Sequence, residues 1–285
     1  MRRRDFIKAV GIGYMSCCCT PLTALARSSN VSQGSDALKS TYRTRLDALS
    51  SGRYWDSCIR SGQYDQEKYL QIWDSARTDK RRLYATVFGE NDVDGILDEM
   101  RARYAALIPE IPFIGDDNFH LVWYIPNSEK LAEYLIAKNY GMTVNSFAQL
   151  HTDDALIQLM KMPEDQRRAI GAMQFGPCVE KMMRLEAIKT TPKLRFYPDD
   201  YMMTFRKGFG IDFDWGLDYT QCANCKLYID KYDEADLLFR MVCKMDYVAG
   251  KALYVGYHRT KQLSTGDRKC DLRWKQGVES VIPEY

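Results

Sequence analysis

Histidine is scarce in this chain. The 285 residues hold three, His120, His151 and His258, and no two stand at the His-x-x-x-His spacing that puts a pair of imidazoles on one helix face. That scarcity argues against a histidine-centred metal catalyst. No Gly-rich strand–turn–helix fingerprint occurs, which argues against a dinucleotide-binding Rossmann domain. No segment has the length or purity of a coiled coil or a membrane helix, and there is no long low-complexity tract. Strong charge is also missing. Residues 1–26 carry Arg2, Arg3, Arg4 and Lys8 against Asp5, so the formal +2 splits into +3 there and −1 in the remainder. A near-neutral body leaves no electrostatic footprint for nucleic acid.

What is present begins with an address. Arg2-Arg3-Arg4-Asp5-Phe6-Ile7-Lys8 fits the twin-arginine export pattern, an apolar stretch from Ala9 to Leu22 follows, and Ala24-Leu25-Ala26 offers a small-x-small cleavage site. Gly11, Gly13, Thr20 and Pro21 break that stretch, so no stable membrane span is expected. The expected partner is the twin-arginine export machinery, and the expected location is periplasmic or otherwise exported. Cys17, Cys18 and Cys19 sit where a lipoprotein cysteine would, but Tyr14-Met15-Ser16 is a poor lipobox.

The whole chain is 46% hydrophobic and 27% charged, a globular balance long enough for a real core. Residues 27–90 read as a polar lead-in and helical pieces such as Gln66 to Ala76; residues 91–285 read as one domain. Three- and four-residue apolar spacing predicts a helix from Asp92 to Ile108, stopped by Pro109 and Pro112. Further helices are expected at Ser128–Tyr140, Thr143–Leu150, Asp153–Lys161, Glu164–Met173 and Cys178–Ile188. After Thr191 and Pro192 the rhythm changes to strands at Leu194–Tyr197, Tyr201–Lys207 and Ile211–Thr220. A long helix from Glu234 to Leu253 follows, with Leu238, Val242, Met245 and Ala249 as its core stripe. A hairpin of Tyr254–Leu263 and Lys269–Lys275 closes the pattern. The fold class is α+β: an N-terminal helical region followed by an antiparallel sheet enclosing a long helix.

Chemistry concentrates between Phe213 and Trp274, which hold Cys222, Cys225, Cys243 and Cys270. Cys222-Ala223-Asn224-Cys225 is a Cys-x-x-Cys, and with the other two thiols it has the ligand types of a zinc site. No second Cys-x-x-Cys follows, which argues against a zinc ribbon. Disulfides are an alternative in an oxidising compartment, and a thiolate nucleophile is a third. Cys222 stands where a strand hands over to a helix start, which suits that last role. Cys243 and Asp246, three apart on a helix, share a face; a buried thiol beside a salt-bridged aspartate is the plainer reading. Arg259 can clamp a carboxylate if it faces a cleft, and is otherwise a surface arginine.

Several of these residues form a recognisable run: Tyr219-Thr220-Gln221-Cys222, Cys243-Lys244-Met245-Asp246, Arg259-Thr260-Lys261-Gln262-Leu263, Gly266 and Cys270-Asp271-Leu272. With Ile111-Pro112-Phe113-Ile114-Gly115, Asn118 and the helix ending at Gly141, the stretch from about 95 to 275 resembles the L-2-amino-thiazoline-4-carboxylic acid hydrolase family. Gln262 and Leu272 depart from the Thr and Phe usual there, and Cys225 is an addition. The resemblance implies hydrolysis of a carbon–nitrogen bond in a small cyclic amidine, with ring opening to N-carbamoylcysteine. It implies a small-molecule substrate and names no cofactor and no metal. Cys222 or Cys243 is then the nucleophile and Asp246 the acid/base, while Arg259, Cys270 and Asp271 hold substrate. An exported, non-enzymatic binding protein on the same scaffold, taking a small molecule, a metal or a cofactor, is the alternative.

Overall fold

The computed structural model describes residues 62–284 apart from 117 and 193. The leader, the lead-in, Cys17 to Cys19 and Cys58 lie outside the described residues. α1 (Gln66–Ser75) is capped by Asp65, whose carboxylate accepts from the Lys68 backbone N–H at 3.1 Å. α2 (Arg77–Phe88) turns Lys80 and Tyr84 inward. α3 (Val93–Leu107) buries Val93, Ile96, Leu97, Met100, Tyr104 and Leu107, the stripe that the spacing predicts. Pro109 then tightens the chain into a 3-10 turn, Ile108–Glu110.

α4 (Leu121–Ala137) starts earlier than the expected Ser128 and carries Pro126 inside it. A proline removes one intrahelical bond, and here the loss is outweighed by burial of Tyr124, Ile125 and Leu131. Ser128, expected at the helix start, instead donates to the Tyr124 carbonyl at 2.8 Å within it. The element ends through Lys138–Tyr140 on Gly141, which takes the left-handed φ of 87°. α5 (Val144–Met160) is one helix where two are expected. Thr152-Asp153 resembles a cap in sequence, but Thr152 Oγ1 donates back to Ala148 O at 2.9 Å and stays inside the helix. α6 (Glu164–Met173) and α7 (Pro177–Lys189) fall where expected.

Leu194–Tyr197 forms no strand; Arg195 turns back to Pro198 O and the Gln221 side chain, and Tyr197 meets Phe113 edge-on at 5.1 Å. β1 (Met202–Lys207) and β2 (Trp215–Gln221) pair antiparallel. β2 begins later than the expected Ile211, because residues 208–214 form a loop closed by Gly208 N–H to Asp214 O at 2.9 Å. β3 (Val255–His258) and β4 (Cys270–Gln276) complete an antiparallel sheet in the order β1-β2-β4-β3. The two faces alternate. Met203, Leu217, Tyr219, Leu272, Trp274 and Tyr257 are buried, while Thr204, Thr220 and His258 point to solvent. Phe205, Trp215, Trp274 and Tyr257 run across the inner face, with Trp215 and Trp274 stacked at 4.2 Å. Such pairs each add about 0.5–1.5 kcal/mol beyond their area.

The expected long helix 234–253 is broken. Ala235–Leu237 opens into a wide π turn, Leu238–Val242; the chain then turns at Cys243 and Lys244, and α8 (Met245–Ala252) resumes. Cys243 N–H bonds Leu238 O at 2.9 Å, five residues back, so one extra residue enters the turn and the 3.6 register slips. The buried set is accordingly Leu237, Leu238 and Met241 before the break and Val248 and Ala252 after it, so of the expected stripe Leu238 is buried while Val242, Met245 and Ala249 are only half-buried. The architecture is α+β, helices against one face of a four-stranded antiparallel sheet. Among the described residues no helix is long and apolar enough to cross a membrane.

Candidate active site

Three chain segments meet at the inner edge of the sheet. The first is the end of β2, where Cys222 (φ −133°, ψ 123°) leaves the strand and caps a helical turn, Ala223–Cys225, that widens into a π turn, Lys226–Lys231. The second is the break at Cys243. The third is the β3–β4 hairpin, carrying Arg259 and Cys270. Cys222, Cys225 and Cys243 are half-buried and Cys270 is buried; all four are free thiols.

The Cys225 thiol hydrogen-bonds Cys222 Sγ, and the backbone N–H groups of Cys225 and Asn224 also point at that sulfur. These bonds, led by the one from Cys225 and aided by the Arg259 charge, outweigh burial and hold the Cys222 thiol below its ordinary range. Cys225 moves the other way: its bond to Cys222, then burial, push its thiol far up. Burial also raises Cys243, and pushes Cys270 up to about 12 against a 3.2 Å hydrogen bond from Leu263 N–H. Of the four sulfurs, Cys222 is the one whose acidity the site strengthens.

Arg259 spans the cluster. Its Nη2 donates to Cys243 O at 2.6 Å and its guanidinium lies 5.8 and 5.7 Å from the Tyr247 and Tyr257 rings. Burial alone would lower its pKa; Tyr257, Cys243 and Asp246 overcome that, and it stays charged. Asp246, in the first turn of α8, accepts a 3.2 Å hydrogen bond from Tyr257 OH. Its residue is open to solvent, yet protein crowds its carboxylate from several sides; burial there raises its pKa against the pull of Arg259 and Tyr257.

Three buried polar atoms on these segments make no hydrogen bond: Arg259 Nε, Asn224 Oδ1 and Gln262 Oε1. Unpaired buried polar atoms are rare, because each costs about 1–3 kcal/mol. All three lie on the segments that carry the thiols.

Asp271 does not join them. It alternates with Cys270 on β4, so it leaves by the opposite face. Its oxygens accept from Thr260 N–H at 2.8 Å, Thr260 Oγ1 at 2.5 Å and Lys261 N–H at 2.7 Å, which braces the hairpin. Asp271, expected to hold substrate, is thus engaged in bracing the hairpin. Cys270, expected to touch substrate, instead receives Leu263 N–H. Ser264 Oγ lies 3.9 Å from Cys243 Sγ. Among the described residues no three His, Cys, Asp or Glu side chains are grouped to hold a metal ion.

Behind Cys222 stands a polar network that sequence reasoning missed. Asn224 Nδ2 donates to Tyr201 OH at 3.0 Å, and Tyr201 stacks on His120 with ring centres 4.0 Å apart. His120 contacts Tyr219 OH at 3.2 Å and Asn118 Oδ1 at 3.1 Å, while Asn118 Nδ2 donates to Asp200 Oδ1 at 2.8 Å. Burial pushes His120 down to about 3 and Asp200 up to about 6. The histidine is neutral at pH 7 and serves as a core hydrogen-bonding group. No spacing signal marks these residues, since they come from separate parts of the chain. Two open grooves of about 380 and 490 Å³ lie elsewhere, one beside Arg240 and Lys244 and one beside Arg101; no thiol lines either.

Comparison of the chain with protein-family models, with curated proteins and with solved structures finds no match.

Proposed function

We propose that this protein is a thiol-dependent hydrolase acting at the amidine carbon of a small cyclic amidine that carries a carboxylate. The reading rests on the residue pattern described for the L-2-amino-thiazoline-4-carboxylic acid hydrolases and on one observation: Cys222, Cys243 and Cys270 all feel the Arg259 charge, and of these Cys222 is the one held below its ordinary range. Arg259 and its unpaired Nε suit a substrate carboxylate. Asp246, with a raised carboxyl, suits proton transfer.

For 2-aminothiazoline-4-carboxylate the steps balance as follows. Cys222 Sγ adds to ring C2, the ring nitrogen takes a proton, and the C2–S bond breaks to release the substrate thiol. Water then adds to the S-linked isothiourea, and the Cys222 thiolate leaves, giving N-carbamoylcysteine. Along this route the ring C–S bond breaks and both C2–N bonds survive. Cleavage of the exocyclic carbon–nitrogen bond would instead release ammonia. Asp246 is the proton donor and Arg259 the carboxylate anchor.

The test is ring opening by the reduced protein, read as thiol release and as ammonia release. Cys222→Ala should lose activity about a thousandfold or more, and Cys243→Ala should keep most of it. A folded Cys222→Ala protein with full activity overturns the reading. The twin-arginine-type leader favours the second reading, an exported binding protein; a tightly held ligand on the purified protein, with no turnover, would support it.

A further inference from the structure

Cys225 has no place in the hydrolytic steps, and the family pattern does not call for it. Yet it is the residue bonded to the nucleophile. Cys222 is extended and caps the turn; Cys225 closes that turn three residues on, which brings both side chains to one side. The sulfurs are within hydrogen-bonding contact, and both residues are half-buried, so a small reagent reaches them. Cys243 and Cys270 direct their sulfurs to Ser264 and to the Leu263 backbone.

We propose that Cys222 and Cys225 form a dithiol–disulfide exchange site whose substrate is a small-molecule disulfide. The Cys222 thiolate attacks one sulfur of RS–SR, the RS–SR bond breaks, and RS⁻ leaves to be protonated. A mixed disulfide, Cys222–S–S–R, remains. Cys225 then gives up its proton and attacks the Cys222 sulfur, expelling the second RS⁻, which takes that proton. The balance is two cysteine thiols plus RS–SR giving one Cys222–Cys225 disulfide and two RSH; the dithiol is oxidised and the small disulfide reduced. The two sulfurs are suited to opposite roles. Cys222 attacks first because its thiol is the one held below the ordinary range, so it loses its proton more readily than Cys225. Cys225 is raised chiefly by its bond to Cys222, and this restraint vanishes once Cys222 is tied up in the mixed disulfide. The same reaction removes the proposed hydrolytic nucleophile, so a disulfide-rich environment would silence the enzyme.

The exchange does not require the hydrolase reading to hold. Reduced full-length protein is treated with oxidised glutathione, quenched by alkylation and mapped by mass spectrometry. The parent should lose two thiols, yield a Cys222–Cys225 disulfide and retain no glutathione. Cys225→Ser should stop at one glutathione on Cys222. Cys222→Ser should react about tenfold slower or worse at this segment. A Cys225→Ser protein without that adduct, or a parent disulfide joining Cys222 to Cys243 or Cys270, overturns the proposal. Because the parent's own disulfide map is decisive, a variant that fails to fold does not rescue the idea. Exchange without ring opening keeps this inference and removes the hydrolase; ring opening without exchange does the reverse.

Discussion

Cys225 bonds its thiol to Cys222 Sγ, and that one contact moves the two acidities in opposite directions. A pair of identical side chains is thereby made unlike, one the stronger acid and the other the weaker. Removing the donor should undo the asymmetry. In Cys225→Ala the largest influence lowering Cys222 is gone, so its alkylation by iodoacetamide should rise with pH at a higher midpoint than in the parent. Peptide-resolved alkylation rates across pH 5–10 read this out; an unchanged midpoint would assign the acidity to Arg259 and the backbone N–H groups instead.

Tyr257 tunes Asp246. Its hydroxyl bond lowers the Asp246 carboxyl, while burial raises it. Tyr257→Phe deletes the lowering contribution, so the carboxyl should keep its proton to higher pH. If Asp246 donates a proton in ring opening, activity falls as pH climbs through its pKa, and that falling limb should shift upward in the variant. The pH profile of kcat is the measurement.

Asp200 and His120 set opposing slopes of stability against pH. The folded Asp200 carboxyl sits at about 6, above its ordinary value, so its contribution is present at low pH and lost as pH rises through about 6. His120, lowered to about 3, behaves in reverse: its contribution is present above its ordinary value of 6.5 and lost as pH falls toward 3. Asp200→Asn keeps the acceptor for Asn118 and Tyr201 while removing the buried charge. The variant should gain on the parent as pH rises from 4 to 7, on the order of 2–3 kcal/mol at most. Thermal melts at matched ionic strength check the sign.

Glu133 anchors the helical region. It is fully buried, pairs with Lys80, accepts from Lys130 and Tyr84 at 2.7 Å, and lies 3.8 Å from His151 Nε2. Glu133→Ala leaves Lys80 buried beside Glu129 alone and should cost about 3–5 kcal/mol in urea unfolding. Glu133→Gln, which retains an acceptor, should cost less.

Much of the fold was legible because its causes are local. The stripe from Val93 to Leu107, the bounds of α6 and α7, and the Gly266 turn between β3 and β4 follow from side-chain period and turn chemistry, although β3 ends at His258, short of the expected Leu263. The residue types of the site were legible too, since four cysteines, an aspartate and an arginine fall within one stretch. Misplaced elements share a reason. Pro126 and Thr152 look like breaks in sequence, yet each is carried inside a helix by buried neighbours and a back-bond. The expected helix 234–253 looks continuous, yet the extra residue before Cys243 breaks it.

The sequence by itself determined which chemistry the protein carries and the order in which helices and strands present it. Tertiary structure decided what each group does there. It lowered the Cys222 thiol and raised those of Cys243 and Cys270, and it sent Asp271 to the far face to brace a hairpin. It also placed Asn118, His120, Asp200 and Tyr201 behind the Cys222 turn. Acidity and hydrogen-bond partnership depend on distance and burial, and those are fixed by segments that lie far apart along the chain.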